Sequence, residues 1–149
     1  MNPFVIRSYS AKDFEQVVIL LRANTPQFFS PQEETDLIQY LKNETEDYFV
    51  IEKENQVIGS GGINYSNQNS IGIISWDIID PKHQGLGIGL LLLNHRLHLL
   101  KNKSSIQKII VRTSQVVFPF YEKAGFELIE VKTDYWAKGF DLYLMEINS

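Results

Sequence analysis

Three glycines at alternating positions separate an apolar strand from a leucine-rich helix, and this unit constrains the fold more than any other segment. Residues 71–79 are predicted to form a strand, and Gly85, Gly87 and Gly89 lie in the loop that follows it. The helix after the loop is expected to have an apolar face made of Leu90, Leu93, Leu97 and Leu100. Residues 106–112 form the next predicted strand, so the two strands should be parallel and joined by a right-handed crossover.

The segments on either side of this unit are expected to complete one mixed sheet. Short strand-like runs bounded by turn residues stand at 4–9, 48–53, 56–65, 126–132 and 140–147. The short connections before residue 71 favour an antiparallel meander. We therefore predict an α+β fold in which helices cover both faces of a mixed sheet, as α/β/α layers, with residues 1–149 forming a single domain.

Capping residues mark the starts of two helices in the first third of the chain. Ser10, with Asp13 three residues later, resembles a capping box. Ser30-Pro31 suits an N-cap followed by a proline in the first helical turn. The loop between these two helices carries the adjacent aromatic residues Phe28 and Phe29.

The glycine loop has the properties of an anion-binding site. Glycine lacks a Cβ atom, so a ligand can approach the backbone closely. The first N–H groups of a helix lack partners and carry partial positive charge, which suits phosphate groups. A role in capping the turn is the simpler alternative, but three alternating glycines at a strand-to-helix junction favour the phosphate site.

Two common kinds of phosphate-binding loop do not fit these residues. An ATP-type loop needs a lysine and a hydroxyl residue after its last glycine, whereas Leu90-Leu91 follows Gly89 here. The dinucleotide fingerprint needs a glycine at the sixth position counted from Gly85, where this chain has a leucine. A pyrophosphate held by backbone amides remains, and coenzyme A carries such a group.

Composition narrows the class of partner. The net charge of −4 argues against a general affinity for nucleic acid or for an anionic membrane. The absence of cysteine excludes disulfides, thiolate metal sites and a cysteine nucleophile, and it is compatible with the reducing cytoplasm, where we expect the protein to act. His95 and His98 share a helix face without a third ligand in view, so no metal site is predicted.

Two stretches of the chain match the motifs of one enzyme family. Gln84-Gly85-Leu86-Gly87-Ile88-Gly89 fits the pattern Q/R-x-x-G-x-G/A, and Phe120-Tyr121-Glu122-Lys123-Ala124-Gly125-Phe126 looks like a Y-x-K-x-G-F segment. In both motifs, and in the order of elements, the chain resembles the GNAT superfamily of acetyl-coenzyme A dependent N-acetyltransferases. The resemblance implies a GNAT-like acyl-CoA N-acyltransferase fold, whose β-α-β crossover carries the pyrophosphate loop. It also implies acetyl-CoA as the cosubstrate.

The resemblance further implies a set of cofactor contacts. The amides of the loop would hold the pyrophosphate, and this places the following residues against acetyl-CoA: Gln84, Gly85, Leu86, Gly87, Ile88 and Gly89. The preceding strand would pair its backbone with the pantetheine arm at Ile78 and Ile79. Ser114 stands where the family often has an asparagine, and its hydroxyl can still form a hydrogen bond. Pro119, inside the short helix, is a second departure that bears on the placement of Tyr121.

Acetyl transfer needs an acid for the leaving thiolate, and Tyr121 is the expected one. A phenol is neutral and can donate a proton at physiological pH, and the resemblance gives this tyrosine the same role. Packing beside Phe118 and Phe120 is the alternative explanation for Tyr121. Without a cysteine nucleophile, direct attack of the amine on the thioester in a ternary complex is the simpler route.

Asp77 is the candidate base for the attacking amine. It lies on the strand that leads to the cofactor, where several relatives carry an acidic residue. Strand alternation places Asp77 on the same face as Ile73 and Ile79 unless a bulge re-aims it. A solvated carboxylate at the rim of the site is the alternative.

The acceptor is expected to be a primary amine of a small molecule or a peptide. Phe28, Phe29 and Trp136 lie in two aromatic loops at places that family members use to select the substrate, with packing of surface turns as the alternative. Homodimers are common in the family, so a homodimer stays an open prediction. The alternative function is an acyl-CoA-binding regulatory domain with little or no turnover.

Overall fold

The computed structural model describes residues 3–148 and contains one seven-stranded sheet and four α-helices. The strands are β1 (Phe4–Ser8), β2 (Asp47–Lys53), β3 (Gln56–Ser66), β4 (Ile71–Ile79), β5 (Lys108–Thr113), β6 (Glu127–Ala137) and β7 (Phe140–Asn148). The helices are α1 (Phe14–Ala23), α2 (Glu33–Asn43), α3 (Ile88–Lys101) and α4 (Phe118–Lys123). No helix within residues 3–148 combines the length and the apolar character needed to cross a bilayer.

The sheet is mixed, as the sequence predicts. Its strand order is β1-β2-β3-β4-β5-β7-β6, and every neighbouring pair is antiparallel except β4 and β5. The parallel pairing joins residues 71–74 of β4 to residues 108–111 of β5 and ends there. Beyond Ile74 the two strands diverge, and the second half of β4 is not hydrogen-bonded to β5 within the described residues. The predicted crossover unit is confirmed, and it opens a wedge in the middle of the sheet.

Helices cover both faces of the sheet, which confirms the layered α+β fold. On one face, α1 and α2 pack their leucines and valines against Tyr48, Val50 and Ile78. On the other face, α3 and α4 pack against Ile74 and Ile109. Neighbouring strand residues belong to opposite cores because side chains alternate along a strand.

The buried face of α3 differs from the predicted leucine stripe. Leu90 is 46% exposed, whereas the row Ile88, Leu92, Arg96 and Leu100 is fully buried, with Leu93 and Leu97 beside it. The row has a spacing of four residues, which brings side chains above one another on a helix. A charged residue, Arg96, therefore occupies a core position that sequence analysis did not single out.

The capping predictions hold at one helix and shift at the other. Ser10 and Asp13 form the predicted capping box at a short 3-10 turn before α1. The second helix begins at Glu33, after a turn in which Glu33 N–H donates to the Ser30 carbonyl at 3.0 Å. Pro119 lies in the first turn of α4, where its missing N–H leaves no hydrogen bond unmade, so the helix is not kinked before Tyr121.

Candidate active site

The loop between β4 and α3 presents a run of free backbone amides. Gly85 and Gly87 have φ angles of 85° and 80°, which glycine adopts without strain. Within residues 3–148, none of the N–H groups from Gly85 to Leu90 donates a hydrogen bond, and residues 84–87 are exposed. Donors that point to solvent at the start of a helix form a ready site for an anion.

The two ends of this loop are fixed by side chains. The Asp80 carboxylate accepts the Lys82 N–H at 3.1 Å and lies 3.1 Å from His83 Nδ1. At the other end, a Cβ atom on Gly89 would lie 3.4 Å from the Phe120 ring of α4. That distance is an ordinary van der Waals contact, so α4 packs against the start of α3, whereas Gly85 and Gly87 have open space around them.

A cavity of about 470 Å³ extends from this loop along the end of β4 to Asp77 and Tyr121, and we call it the loop cavity. Among the residues that line it are Asn24, Ile79, Gln84, Gly85, Gly87, Ile88, Gly89, Phe120 and Tyr121. Five of the six residues predicted to bind the pyrophosphate thus border one cavity. The sixth, Leu86, lies in the exposed part of the same loop.

The edge of β4 that faces this cavity belongs to Ile79 rather than Ile78. Asp80 N–H donates to the Ile58 carbonyl, and hydrogen-bonded pairs alternate along an antiparallel ladder, so the backbone of Ile78 faces β3. The Ile79 carbonyl accepts a hydrogen bond from Asn24 Nδ2 at 2.9 Å. Asn24 is buried at the end of α1, and no local pattern in the sequence pointed to it.

A second cavity, of about 230 Å³, is lined by residues of both β4 and β5 where the two strands diverge, and we call it the aromatic cavity. Its aromatic lining residues are Phe28, Phe29, Tyr40, Trp76, Tyr121, Trp136 and Phe140. The structure thus brings together all three aromatic residues predicted to wall an acceptor site. Trp136 is oriented by a hydrogen bond from its Nε1 to the Thr113 carbonyl at 3.0 Å.

Ser114 lies in the wall of the aromatic cavity. It is 6% exposed, and its hydroxyl accepts the Val116 N–H at 3.3 Å in the turn that leads into α4. Its predicted contact with the cofactor stays a prediction. The Ser114 backbone carbonyl also accepts the N–H groups of Val117 and Phe118, at 3.1 Å and 2.9 Å, in the turn that leads into α4.

Asp77 and Tyr121 border both cavities. The two side chains are joined directly, since the Tyr121 hydroxyl donates to Asp77 Oδ2. Tyr121 is only 3% exposed, and burial raises its pKa well above the usual range. The negative charge of Asp77 raises this pKa further, while the positive charge of Arg96 opposes the rise. The phenol is therefore neutral and holds its proton at the junction of the cavities.

A β-bulge turns Asp77 toward this junction. Ser60 of β3 pairs with Ile78 and Gly62 pairs with Ser75, so β4 carries one extra residue at this point. Trp76, in the bulge, has a φ angle of 50°. The bulge puts Asp77 on the side of α3 and α4, so the expectation that Asp77 shares a face with Ile73 is wrong.

Arg96 is the partner that sequence analysis missed. Its guanidinium is fully buried and donates to the Asp77 carboxylate and, at 3.0 Å, to the Gly62 carbonyl. A Cβ atom on Gly61 would overlap Asp77 Oδ1 and approach Arg96, so the bare backbone of β3 gives this ion pair its space. A single arginine within the apolar row of α3 was the available signal.

Removing the arginine is expected to destabilise the fold. Because Arg96→Met leaves the Asp77 carboxylate without its cation, we expect the free energy of unfolding in urea to fall by about 3–5 kcal/mol. The double variant Asp77→Leu with Arg96→Met removes both charges and should recover most of that loss. A single variant that unfolds at the wild-type urea concentration would show that the ion pair does not stabilise the fold.

Comparison with known proteins places the chain among acetyltransferases. The acetyltransferase (GNAT) domain family matches residues 7–149. The chain is 23% identical over 160 residues to an N-alpha-acetyltransferase of Sulfolobus acidocaldarius, over 95% of this chain and 90% of that protein. The structure of Ard1 from Thermoplasma volcanium has a TM-score of 0.83 at 17% identity, covering 99% of this chain and 98% of that one. An aminoglycoside 6'-N-acetyltransferase complexed with coenzyme A has a TM-score of 0.77 at 13% identity, covering 97% and 96%.

Proposed function

The chain belongs to the GNAT acetyltransferase family, and from this premise we propose that it transfers the acetyl group of acetyl-CoA to a primary amine. One observation carries the proposal: the two cavities meet at a wall made by a carboxylate and a phenol. A donor in one cavity and an acceptor in the other would bring their reacting atoms together at Asp77 and Tyr121. Such an arrangement favours direct transfer, because both substrates can be bound at once.

The loop cavity fits acetyl-CoA through its backbone. The free N–H groups from Gly85 to Leu90 suit the pyrophosphate. The open edge of β4 at Ile79 suits the amide groups of the pantetheine arm, which would add to the sheet as a further strand. The Ile79 carbonyl can accept a ligand N–H beside that of Asn24, since a carbonyl oxygen has two lone pairs.

The transfer needs one proton to leave nitrogen and one to reach sulfur. The amine nitrogen attacks the thioester carbonyl carbon, a C–N bond forms, and the carbonyl oxygen becomes an oxyanion. The oxyanion then reforms the carbonyl as the C–S bond breaks, and the sulfur leaves with the bonding pair. We assign Tyr121 as the acid that protonates this thiolate, because it is neutral, buried and at the junction.

Asp77 is the group we assign as base. Its carboxylate borders the aromatic cavity and can take a proton from the nitrogen once attack has begun. The hydrogen bond between Tyr121 and Asp77 then offers a path by which this proton replaces the one that Tyr121 gave to sulfur. Arg96 is not among the described residues that line either cavity, and it acts as a positioning residue because it holds the Asp77 carboxylate in place.

The proposal is tested by measuring thiol release from acetyl-CoA against a panel of primary amines. The panel includes alkylamines and peptides with a free α-amine, since the Sulfolobus relative is named an N-alpha-acetyltransferase. We expect amine-dependent thiol release, and initial rates with both substrates varied should give intersecting double-reciprocal lines. Binding of acetyl-CoA without release for any amine would instead favour a binding domain without turnover.

A further inference from the structure

A buried carboxylate lies in the wall of the aromatic cavity. Glu33, the first residue of α2, is only 6% exposed and lines this cavity. Its Oε2 accepts the Ser30 backbone N–H at 2.8 Å, whereas no hydrogen bond to Oε1 is found within residues 3–148. Among the described residues, Oε1 is not one of the fully buried side-chain atoms without a partner, so it keeps contact with open space. A group that enters the cavity can therefore donate a hydrogen bond to it.

Electrostatics favour a cation as that group. Burial raises the pKa of Glu33 above its ordinary value, while the hydrogen bond from Ser30 opposes this effect and the charge of Asp36 adds to it. A positive charge beside Oε1 would stabilise the ionised carboxylate and lower this pKa again. Charge-assisted hydrogen bonds of this kind are the strong ones.

The position of Glu33 separates it from the reacting end of the site. Asp77 and Tyr121 border both cavities. Glu33 is one of the described residues that line the aromatic cavity, and it is not among those that line the loop cavity. An acceptor whose reacting nitrogen lies at the junction would therefore reach Glu33 with another part of its structure. A second basic nitrogen at the far end of the same molecule meets both requirements.

The aromatic walls of this cavity suit a flexible chain that ends in a cation. Phe29 and Trp76 stack with ring centroids 6.2 Å apart, and Tyr40 lies 6.1 Å from Trp76. Aromatic faces pack against methylene groups and attract cations. Arg112 also lines the cavity, but its guanidinium donates to the Tyr135 hydroxyl at 2.5 Å and is exposed.

We propose that Glu33 binds a second cationic nitrogen of the acceptor, so that the enzyme favours linear diamines and polyamines over monoamines. The proposal rests on the acetyl transfer proposed above. It makes Glu33 a specificity-determining residue, distinct from the acid and the base of the reaction.

The test compares two acceptors that differ in one terminal group, 1,4-diaminobutane and 1-aminopentane. In the wild-type enzyme we expect kcat/KM for the diamine to exceed that for the monoamine by about tenfold or more. In Glu33→Gln the ratio should fall to within about twofold of one, chiefly through a higher KM for the diamine. Glutamine at this position can still accept the Ser30 N–H, so the start of α2 should be kept.

Glu34→Gln is the matched control. The same change is made one residue later, on an exposed carboxylate that pairs with Arg22 at 2.8 Å. This variant should keep the wild-type preference for the diamine. A wild-type enzyme without that preference, a Glu33→Gln variant that retains it, or acetylation of peptides but of no diamine would each overturn the proposal. Acetylation of peptides but of no diamine would leave the proposed acetyl transfer intact. Absence of thiol release with any amine would contradict both the acetyl transfer and the role of Glu33.

Discussion

Replacing Gly87 by aspartate is expected to raise the Kd for acetyl-CoA by roughly 100-fold, the largest effect on binding that we predict. Gly87 is the N-cap of α3, and nothing lies within 4 Å of the place where its Cβ would be. The new side chain therefore meets no protein atom and puts its charge where the pyrophosphate would lie. Two unit charges roughly 5 Å apart near a protein surface repel by about 3 kcal/mol, which gives this magnitude. Calorimetric titration with acetyl-CoA measures it.

Two further variants separate charge from backbone strain. Gly87→Asn has nearly the same shape without the charge and should weaken binding much less than Gly87→Asp. Gly139→Asp introduces the same side chain at a φ angle of 86°, again with open space around it, but in the turn between β6 and β7. It should bind acetyl-CoA as the wild type does. If Gly87→Asp also binds with wild-type affinity, the loop does not hold the pyrophosphate.

Tyr121→Phe is expected to lower kcat by about 100-fold or more while changing the Kd for acetyl-CoA by less than about threefold. The phenol is the neutral, buried proton donor at the junction of the two cavities, and phenylalanine keeps its shape without the proton. Steady-state rates of thiol release and a separate titration with acetyl-CoA distinguish turnover from binding.

Tyr65→Phe is the matched control for this variant. The Tyr65 hydroxyl also donates to a carboxylate, Asp47 Oδ2 at 2.5 Å, but Tyr65 is not among the described residues that line either cavity. Both substitutions remove one hydrogen bond between a tyrosine and an aspartate, and Tyr121→Phe is expected to cost more stability because Tyr121 is more deeply buried than Tyr65. Equal kcat values for the two variants would show that Tyr121 is not the acid.

Local sequence patterns predicted the parts of the fold that depend on residues close together in the chain. The capping box at Ser10 and Asp13 and the glycine loop each depend on residues a few positions apart. The parallel crossover followed from the order of a strand, a loop, a helix and a strand. Such features are encoded within short segments, where conformational preference and hydrogen bonding act without distant partners.

The bulge in β4 could not be predicted in this way. It arises because β3 and β4 pair with unequal numbers of residues around Gly61, which is a property of two strands together. The residue type at position 76 does not predict the bulge, because the positive φ angle that Trp76 adopts there is unfavourable for a bulky residue. The direction of the Asp77 side chain, and with it the candidate site, depends on this non-local feature.

Arg96 and Glu33 illustrate two further limits. An arginine within an apolar helical row signals a buried charge, but its partner lies 19 residues away on a strand and cannot be inferred from spacing. Ser30 followed three residues later by Glu33 is a recognisable capping pattern, yet the sequence does not show that the second carboxylate oxygen faces a cavity. Roles like these emerge only when several elements are assembled.

Gly61 restricts which substitutions are compatible with each other at positions 61, 77 and 96. Any side chain there would displace the Asp77 carboxylate or the Arg96 guanidinium, so a larger residue at position 61 requires the ion pair to move or to change. In related sequences, substitutions at positions 61, 77 and 96 should therefore occur together, because a change at one of them alone would lower stability. A survey of homologues in which these positions vary independently would contradict that linkage.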